Sequence, residues 1–312
     1  MKEEVHVFAP ATVANVACGF DILGFALEQP GDEIIMRRTR QCGVVIRKIF
    51  GDNGKLSCEA GLNVAGIAAS HFLNNVQPGY GVEIELQKGM PIGSGLGSSA
   101  ASATASLFAA NILFDKPLNI MALLPLAMEC EKAVCGTAHA DNVGPALLGG
   151  FTLIRSYEPL DVVAIKTPDD LLCTVIHPHI EVSTEDARKI LRKQIALKDA
   201  ITQWGNVAGL IAGLMKSDYE LIGRSLRDVI AEPVRSLLIP RFKEIQTAVL
   251  ACGALGCSIS GSGPSIFALT NDQNIAEEVG RIAQGEFQSA GLRSEVFISG
   301  INQNGPVLIE EE

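Results

Sequence analysis

The chain has 312 residues, of which 47% are apolar, 19% charged and 5% aromatic, enough to bury a sizeable core and too apolar for a disordered or collagen-like chain. Lys and Arg total 25 against 35 Asp and Glu, a formal charge of −10, the wrong sign for a protein that binds nucleic-acid phosphates or anionic lipid. Neither a nucleic acid nor a membrane is an expected partner.

Residues 1–7, Met-Lys-Glu-Glu-Val-His-Val, mix both charges and run straight into an alternating strand pattern, unlike the basic and apolar regions of a signal peptide. Period-two alternation predicts strands over 5–9, 33–37, 43–49 and 82–86, and periodicity with caps predicts helices over 62–76, 98–114 and 119–134. The most apolar stretches, 107–114 and 121–128, are broken by Asp115, Lys116, Pro117 and Pro125, well short of the roughly 18 residues a membrane span needs. A cytoplasmic location is therefore expected. After a strand over 149–156, turn residues at 157–161 suggest a seam, with an N-terminal domain over 1–160 and a C-terminal one over 161–312. The second half reads as strands at 162–165 and 171–176, helices at 184–195, 201–216 and 241–252, a glycine-centred strand pair at 257–270, a helix at 275–288 and a strand at 294–299. This is an α+β pattern.

Eight cysteines stand at 18, 42, 58, 130, 135, 173, 252 and 257. Cys130/Cys135 and Cys252/Cys257 share a C-x4-C spacing and His139 follows the first pair, so a zinc site has to be weighed. The Ala/Gly/Leu-rich surroundings favour small buried core residues instead.

The strongest local signal is the run from Pro91 through Ile92, Gly93, Ser94, Gly95, Leu96, Gly97, Ser98, Ser99, Ala100 and Ala101. Alternate glycines remove Cβ atoms from the approach to a ligand, and the free N–H groups of the first turn of the following helix favour phosphate. A Walker A loop would need Gly-Lys-Ser/Thr, which is absent, and the G-x-G-x-G spacing does not fit a dinucleotide fingerprint. A plain turn is the alternative. A triphosphate held without a P-loop lysine calls for Mg²⁺. Glu131 has Ala127, Met128, Val134 and Cys135 as its same-face neighbours, whereas Glu129 faces Pro125, Leu126, Lys132 and Ala133. Glu131 with Ser98 is thus the better ligand pair, the alternative being a Glu131 paired with a buried arginine. Two further polar groups, Asn15 with Asp21 and His139 with Asp141 and Asn142, occupy apolar settings and read either as site residues or as turn chemistry. With the glycine-rich 258–265 stretch, they suggest one shared pocket.

Taken together, these motifs resemble those of the GHMP kinases, small-molecule kinases of galactose, homoserine, mevalonate and phosphomevalonate, over nearly the whole chain. Residues 91–101 resemble the family's phosphate loop, 258–265 its third motif, and 9–24 its first. Within the family the chain is similar to the homoserine kinase branch: Ala11-Thr12 replaces the usual Gly-Lys, and Asn15, Asp21, the 139–150 stretch, 183–188 and 228–235 are in register, with Ala17-Cys18 where Gly-Pro is common. The resemblance implies a two-domain fold. Its N-terminal ATP-binding domain would carry a left-handed β-α-β unit, and its C-terminal domain would be a ferredoxin-like α/β sandwich. It also implies ATP and Mg²⁺ as co-substrate and metal, L-homoserine as substrate, and a homodimer. Asp21 would take the substrate ammonium, Arg188 and Arg235 its carboxylate, while Asn15, His139 and Asn142 orient the rest and Asn63 lies near the adenine. Asn142 would face the reacting hydroxyl with no strong base, and Ser98 and Glu131 would hold the metal. Another GHMP substrate, or a silent ligand-binding relative, remain alternatives.

Overall fold

The computed structural model describes residues 2–136 and 138–309, apart from the side chains of Val134 and Cys135. In the first half, β1 (Glu4–Ala14), β2 (Leu23–Thr39), β3 (Gly43–Phe50), α1 (Val64–Val76), β4 (Gly81–Gln87), α2 (Ser98–Leu113), α3 (Ile120–Cys135), α4 (Ala140–Leu148), β5 (Phe151–Tyr157) and β6 (Leu160–Ile165) follow in order. The second half comprises β7 (Leu172–Pro178), α5 (Thr184–Lys189), α6 (Leu197–Lys216), α7 (Tyr219–Ser225), α8 (Glu232–Arg235), α9 (Phe242–Ala251), β8 (Gly256–Ile259), β9 (Ile266–Thr270), α10 (Gln273–Ser289), β10 (Ser294–Gly300) and β11 (Val307–Leu308).

The first sheet runs β11-β1-β2-β4-β3, with β5 and then β6 added beside the start of β2. Only β3 and β4 are parallel among its pairs, joined through α1 as a β-α-β unit. Against this sheet lies α2, whose run of Ala and Ser is buried on all sides and packs on β1, β2, α1, α3 and α4. Small side chains let five neighbours approach one helix, whose N-terminal residues Ser98 and Ser99 stay only partly buried. The second sheet is antiparallel in the order β10-β7-β9-β8. With α9 between β7 and β8 and α10 between β9 and β10, it has the ferredoxin-like β-α-β-β-α-β arrangement, into which α5 to α8 are inserted.

The seam expected at 160 falls inside the first sheet: β6 pairs with β5, and β11 returns from the end of the chain to pair with β1. The expected helix at 62–76 starts at Val64 because the Asn63 side chain accepts the Ala65 N–H and caps it. The helix expected at 184–195 stops at Lys189, and α6 begins at Leu197, four residues before its expected start. Residues 140–148, open between turn and site, form α4. Cys18, Cys130, Cys173 and Cys257 are buried as expected of core residues, but Cys42 and Cys58 are exposed, and Cys135 lies outside the described side chains. No group of three potential metal ligands of the His, Cys, Asp and Glu types occurs among the described residues.

Candidate active site

The three glycine-rich stretches meet through backbone hydrogen bonds. Thr12 N–H donates to Leu96 O at 3.0 Å, Gly261 N–H to Ala14 O at 3.1 Å, and Ser265 N–H to Ser94 O at 3.2 Å. Gly93, Gly95 and Gly97 all adopt the left-handed conformation, with φ of 71°, 80° and 66°. Two of them are required twice over, by torsion and by space. A Cβ on Gly95 would stand 2.6 Å from Ser260 O, and one on Gly97 would stand 2.0 Å from Thr12 Oγ1 and 2.8 Å from Asn142 Oδ1. Gly97 is also the residue that starts α2, so the loop and the helix N-terminus are positioned together.

These loops wall a cavity of about 490 Å³, into which the N-terminal ends of α2 and α4 and residues 183–188 also project. At its base Glu131 is 3% exposed, with Oε1 buried and without a hydrogen-bond partner. Its Oε2 stands 3.9 Å from His139 Nδ1, and Glu131 raises the pKa of that imidazole. Glu129 points away and is exposed beside His71, as the helical spacing predicts.

Also in the cavity lining, Arg188 donates through Nη1 and Nη2 to the two Asp21 oxygens at 3.0 and 2.9 Å. Arg235 is buried, donates to Ala187 O and Gly261 O, and its guanidinium lies 5.0 Å from the Phe20 ring centre; that of Arg188 lies 5.7 Å from it. Burial lowers the Arg235 pKa, with Asp21 opposing it. Asp141 is fully enclosed with Oδ1 unpartnered, and burial, aided by the Asp21 charge, pushes its pKa up to about 7. Asn142 Oδ1 accepts from Thr12 Oγ1 at 2.8 Å, leaving its amide N–H groups for the cavity.

The family profile described as GHMP kinases N terminal domain matches residues 63–150, and that described as GHMP kinases C terminal matches residues 210–288. A homoserine kinase of Chloroherpeton thalassium is 49% identical over 97% of this chain and 98% of its own. This chain belongs to the GHMP kinase family. A crystal structure of homoserine kinase from Cytophaga hutchinsonii matches with a TM-score of 0.96 at 54% identity, covering 99% of this chain and 98% of that one. A crystal structure described as L. major mevalonate kinase in complex with R-mevalonate, at 16% identity and a TM-score of 0.74 over 97% of this chain and 98% of its own, shares the fold.

As a GHMP kinase the chain brings most of the residues singled out from sequence to one cavity: Asn15, Asp21, Asn63, Ile92 to Gly95, Gly97 to Ala100, Glu131, His139, Asn142, Arg188 and Arg235. Three of the loop residues do not line it. Leu96 and Ala101 are core side chains, and Pro91 lines a second cavity behind the loop. Asn15 is placed differently from expectation: its Oδ1 accepts the Asp21 N–H and its Nδ2 donates to Gly261 O, so it ties the first motif to the third. Asn63 likewise caps α1 and donates to Ser57 O while lining the cavity.

Sequence reasoning gave no role to Lys88. Its buried Nζ pairs with Asp32 and donates to Ser98 O at 3.0 Å and Ser102 Oγ at 2.8 Å, beneath the first turn of α2. The kinase thus does have a lysine at its phosphate loop, although Asp32 neutralises it. The signal was a lone cation at the end of a strand directly before the glycines. Thr12, noted in the sequence only as part of the first motif, Phe20, and Tyr157, whose hydroxyl donates to Asp21 O at 2.7 Å, also support the site.

Proposed function

We propose that this GHMP kinase transfers the terminal phosphoryl group of ATP to the side-chain hydroxyl of L-homoserine, giving O-phospho-L-homoserine for threonine synthesis. The observation that carries the reading is the union, in one cavity, of a glycine loop at the N-terminus of α2 with a carboxylate and guanidinium cluster of Asp21, Asp141, Arg188 and Arg235. A polyphosphate suits the former, and a zwitterion suits the latter. Arginine forks match a carboxylate, and the unpartnered Oδ1 of Asp141, together with Asp21, suits an ammonium.

The orphaned, buried Oε1 of Glu131 and the hydroxyl of Ser98 are hard oxygen donors of the kind Mg²⁺ takes alongside water and phosphate, so the residues fit that ion. Glu131 and Ser98 would hold it, and when bound it would offset the negative charge of the phosphates. The chain's own residues supply the rest. The amides of 93–100 and the dipole of α2 cradle the phosphates, while Asp141 and the two arginines fix the amino-acid end. Asn142, held through Oδ1 by Thr12, offers its N–H to the reacting oxygen and cannot accept a proton there. Catalysis on this reading rests on positioning and electrostatic stabilisation rather than on a general base. Asn63 and Leu62 in the cavity lining border the adenine side. No helix among the described residues is long and apolar enough to cross a membrane. We infer a cytoplasmic enzyme that works as a homodimer.

The test is ADP release with ATP and magnesium across L-homoserine, mevalonate, galactose and L-threonine. Turnover confined to L-homoserine is the expected result. Turnover on another alcohol would retain the phosphate site and discard the roles of Asp21, Arg188 and Arg235; absence of turnover on all four would favour a ligand-binding relative.

A further inference from the structure

Helix α6 buries Ala200, Gln203, Leu210, Gly213 and Leu214 against its own chain. Its other face carries Leu197, Ile201, Trp204 and Met215, which are 68%, 57%, 63% and 61% exposed, with exposed Ala208 and half-buried Ile211 between them. The spacing along this stripe is 4, 3, 4, 3 and 4 residues, the pattern of a helix seam that packs against another helix. Four large apolar side chains left this open amount to roughly 500 Å² of apolar surface, as large as the patches that mark interaction sites and more than half of one side of a standard interface.

Gly205 lies halfway along the helix on the same exposed side, about 80° round from the centre of the stripe. A Cβ built there meets nothing within 4 Å, so no contact inside the chain calls for glycine, although glycine weakens a helix interior. Beside it stands Trp204, the one tryptophan of the sequence. A bulky ring next to a bare stretch of helix makes the face complementary to itself.

We propose that this face of α6 docks against the same face of a second copy of the chain, with the two helices antiparallel about a two-fold axis near residue 206. That symmetry sets Leu197 opposite Met215, Ile201 opposite Ile211, and Trp204 opposite Ala208, a large residue over a small one near the centre, with Gly205 on the flank of the contact. Charge agrees with the direction. Arg192 and Lys193 stand in the segment before α6 and Lys198 in its first turn, while Asp218, which caps α7, and Glu220 follow its end, with Asp199 and Lys216 the exceptions. A parallel arrangement would stack tryptophan on tryptophan and basic on basic residues. The assignment rests on the homodimer reading above and is independent of which alcohol the enzyme phosphorylates.

The lone tryptophan makes the test direct. Sedimentation of the full chain should give twice the 33.0 kDa chain mass at roughly 100 µM, a concentration that populates even a dimer of micromolar affinity. Acrylamide should quench Trp204 poorly in the dimer and readily on dilution, in step with the change in mass. The variants Gly205→Glu and Trp204→Glu, both at solvent-facing positions of the single chain, should raise the dimer dissociation constant at least 100-fold while circular dichroism stays unchanged. A wild-type chain that is monomeric at that concentration, a dimer whose tryptophan is freely quenched, or a dimer that survives both folded variants would each overturn the proposal. Should either variant misfold, the quenching of the wild-type chain decides alone. ADP release from the same samples tests the substrate reading separately: a dimer inactive on homoserine discards that reading and keeps this interface.

Discussion

Asp21 and Arg188 hold each other in the wall of the cavity through two contacts of 2.9 and 3.0 Å, although the proposed substrate would place its opposite charges on these same two side chains. A homoserine zwitterion can exchange with this pair, ammonium for guanidinium at Asp21 and carboxylate for carboxylate at Arg188. Both side chains remain about one-third exposed, so opening the pair costs about 1 kcal/mol or less. The exchange needs a planar fork, because Arg188 must leave one bidentate partner and meet another. Arg188→Lys keeps the charge and loses the fork. Steady-state kinetics should show KM for homoserine rising at least tenfold with KM for ATP unchanged; equal changes in both would mean that Arg188 holds the fold of the loop instead.

That pairing shows what the sequence could and could not convey. The inward face of Glu131 and the outward face of Glu129 followed from helical spacing, and the structure bears them out. The α+β pattern was equally legible, because alternation and capping are local signals. The dual role of Asn15 was not, since its partners are the Asp21 N–H and the carbonyl of Gly261, 246 residues away. Nor was the membership of β11 in the first sheet, as a two-residue strand carries no period. The exposed seam of α6 was present as spacing, but nothing in a sequence says which stripe of an amphipathic helix meets its own core.

Glu131 is a buried carboxylate with one oxygen unpartnered, a state that normally weakens a fold. Glu131→Gln removes the charge and keeps the shape. The variant should lose at least about 10²-fold in kcat/KM, the scale of losing one electrostatic stabiliser, while nucleotide binding by calorimetry persists and metal-free thermal stability holds or rises. Retained activity at low magnesium would remove Glu131 from the metal site.

Asp141 adds a pH signature. Its carboxyl titrates near 7 in the folded chain because of burial and the Asp21 charge, against ~3.9 when unfolded. Between these values the folded chain binds more protons than the unfolded one, so this group's contribution to stability falls as pH rises from ~4 to ~7. Asp141→Asn should therefore raise the melting temperature relative to wild type most at pH 8, and the gain should vanish toward pH 4. Function runs the other way, because only the ionised carboxylate seats an ammonium. Wild-type kcat/KM for homoserine should rise through an apparent pKa near 7 that belongs to Asp141 coupled with His139, and the variant should lose this limb through KM. A 10²–10⁴-fold fall in kcat at unchanged KM would instead make Asp141 a general base.

Lys88 connects stability to the phosphate loop. Its ammonium is buried between Asp32, Ser102 and the Ser98 carbonyl, Ser102 Oγ donates to Asp32 at 2.7 Å, and Gly89 N–H donates to the other Asp32 oxygen at 3.1 Å. The lysine thus fixes the backbone of Ser98, the residue whose hydroxyl lies at the proposed metal site, while Asp32 fixes the loop that leads to the glycines. Lys88→Met leaves Asp32 charged and unpaired in the interior, a change worth about 3–5 kcal/mol of stability. Lys88→Met combined with Asp32→Asn removes both charges and should recover most of that loss in a denaturant titration. Activity should not recover with it, because neither side chain then holds the Ser98 carbonyl: KM for ATP should stay raised in the double variant while KM for homoserine stays near wild type. Recovery of both stability and ATP affinity would reduce the pair to a structural element, and a double variant no more stable than the single one would show that the lysine does more for the fold than neutralise Asp32.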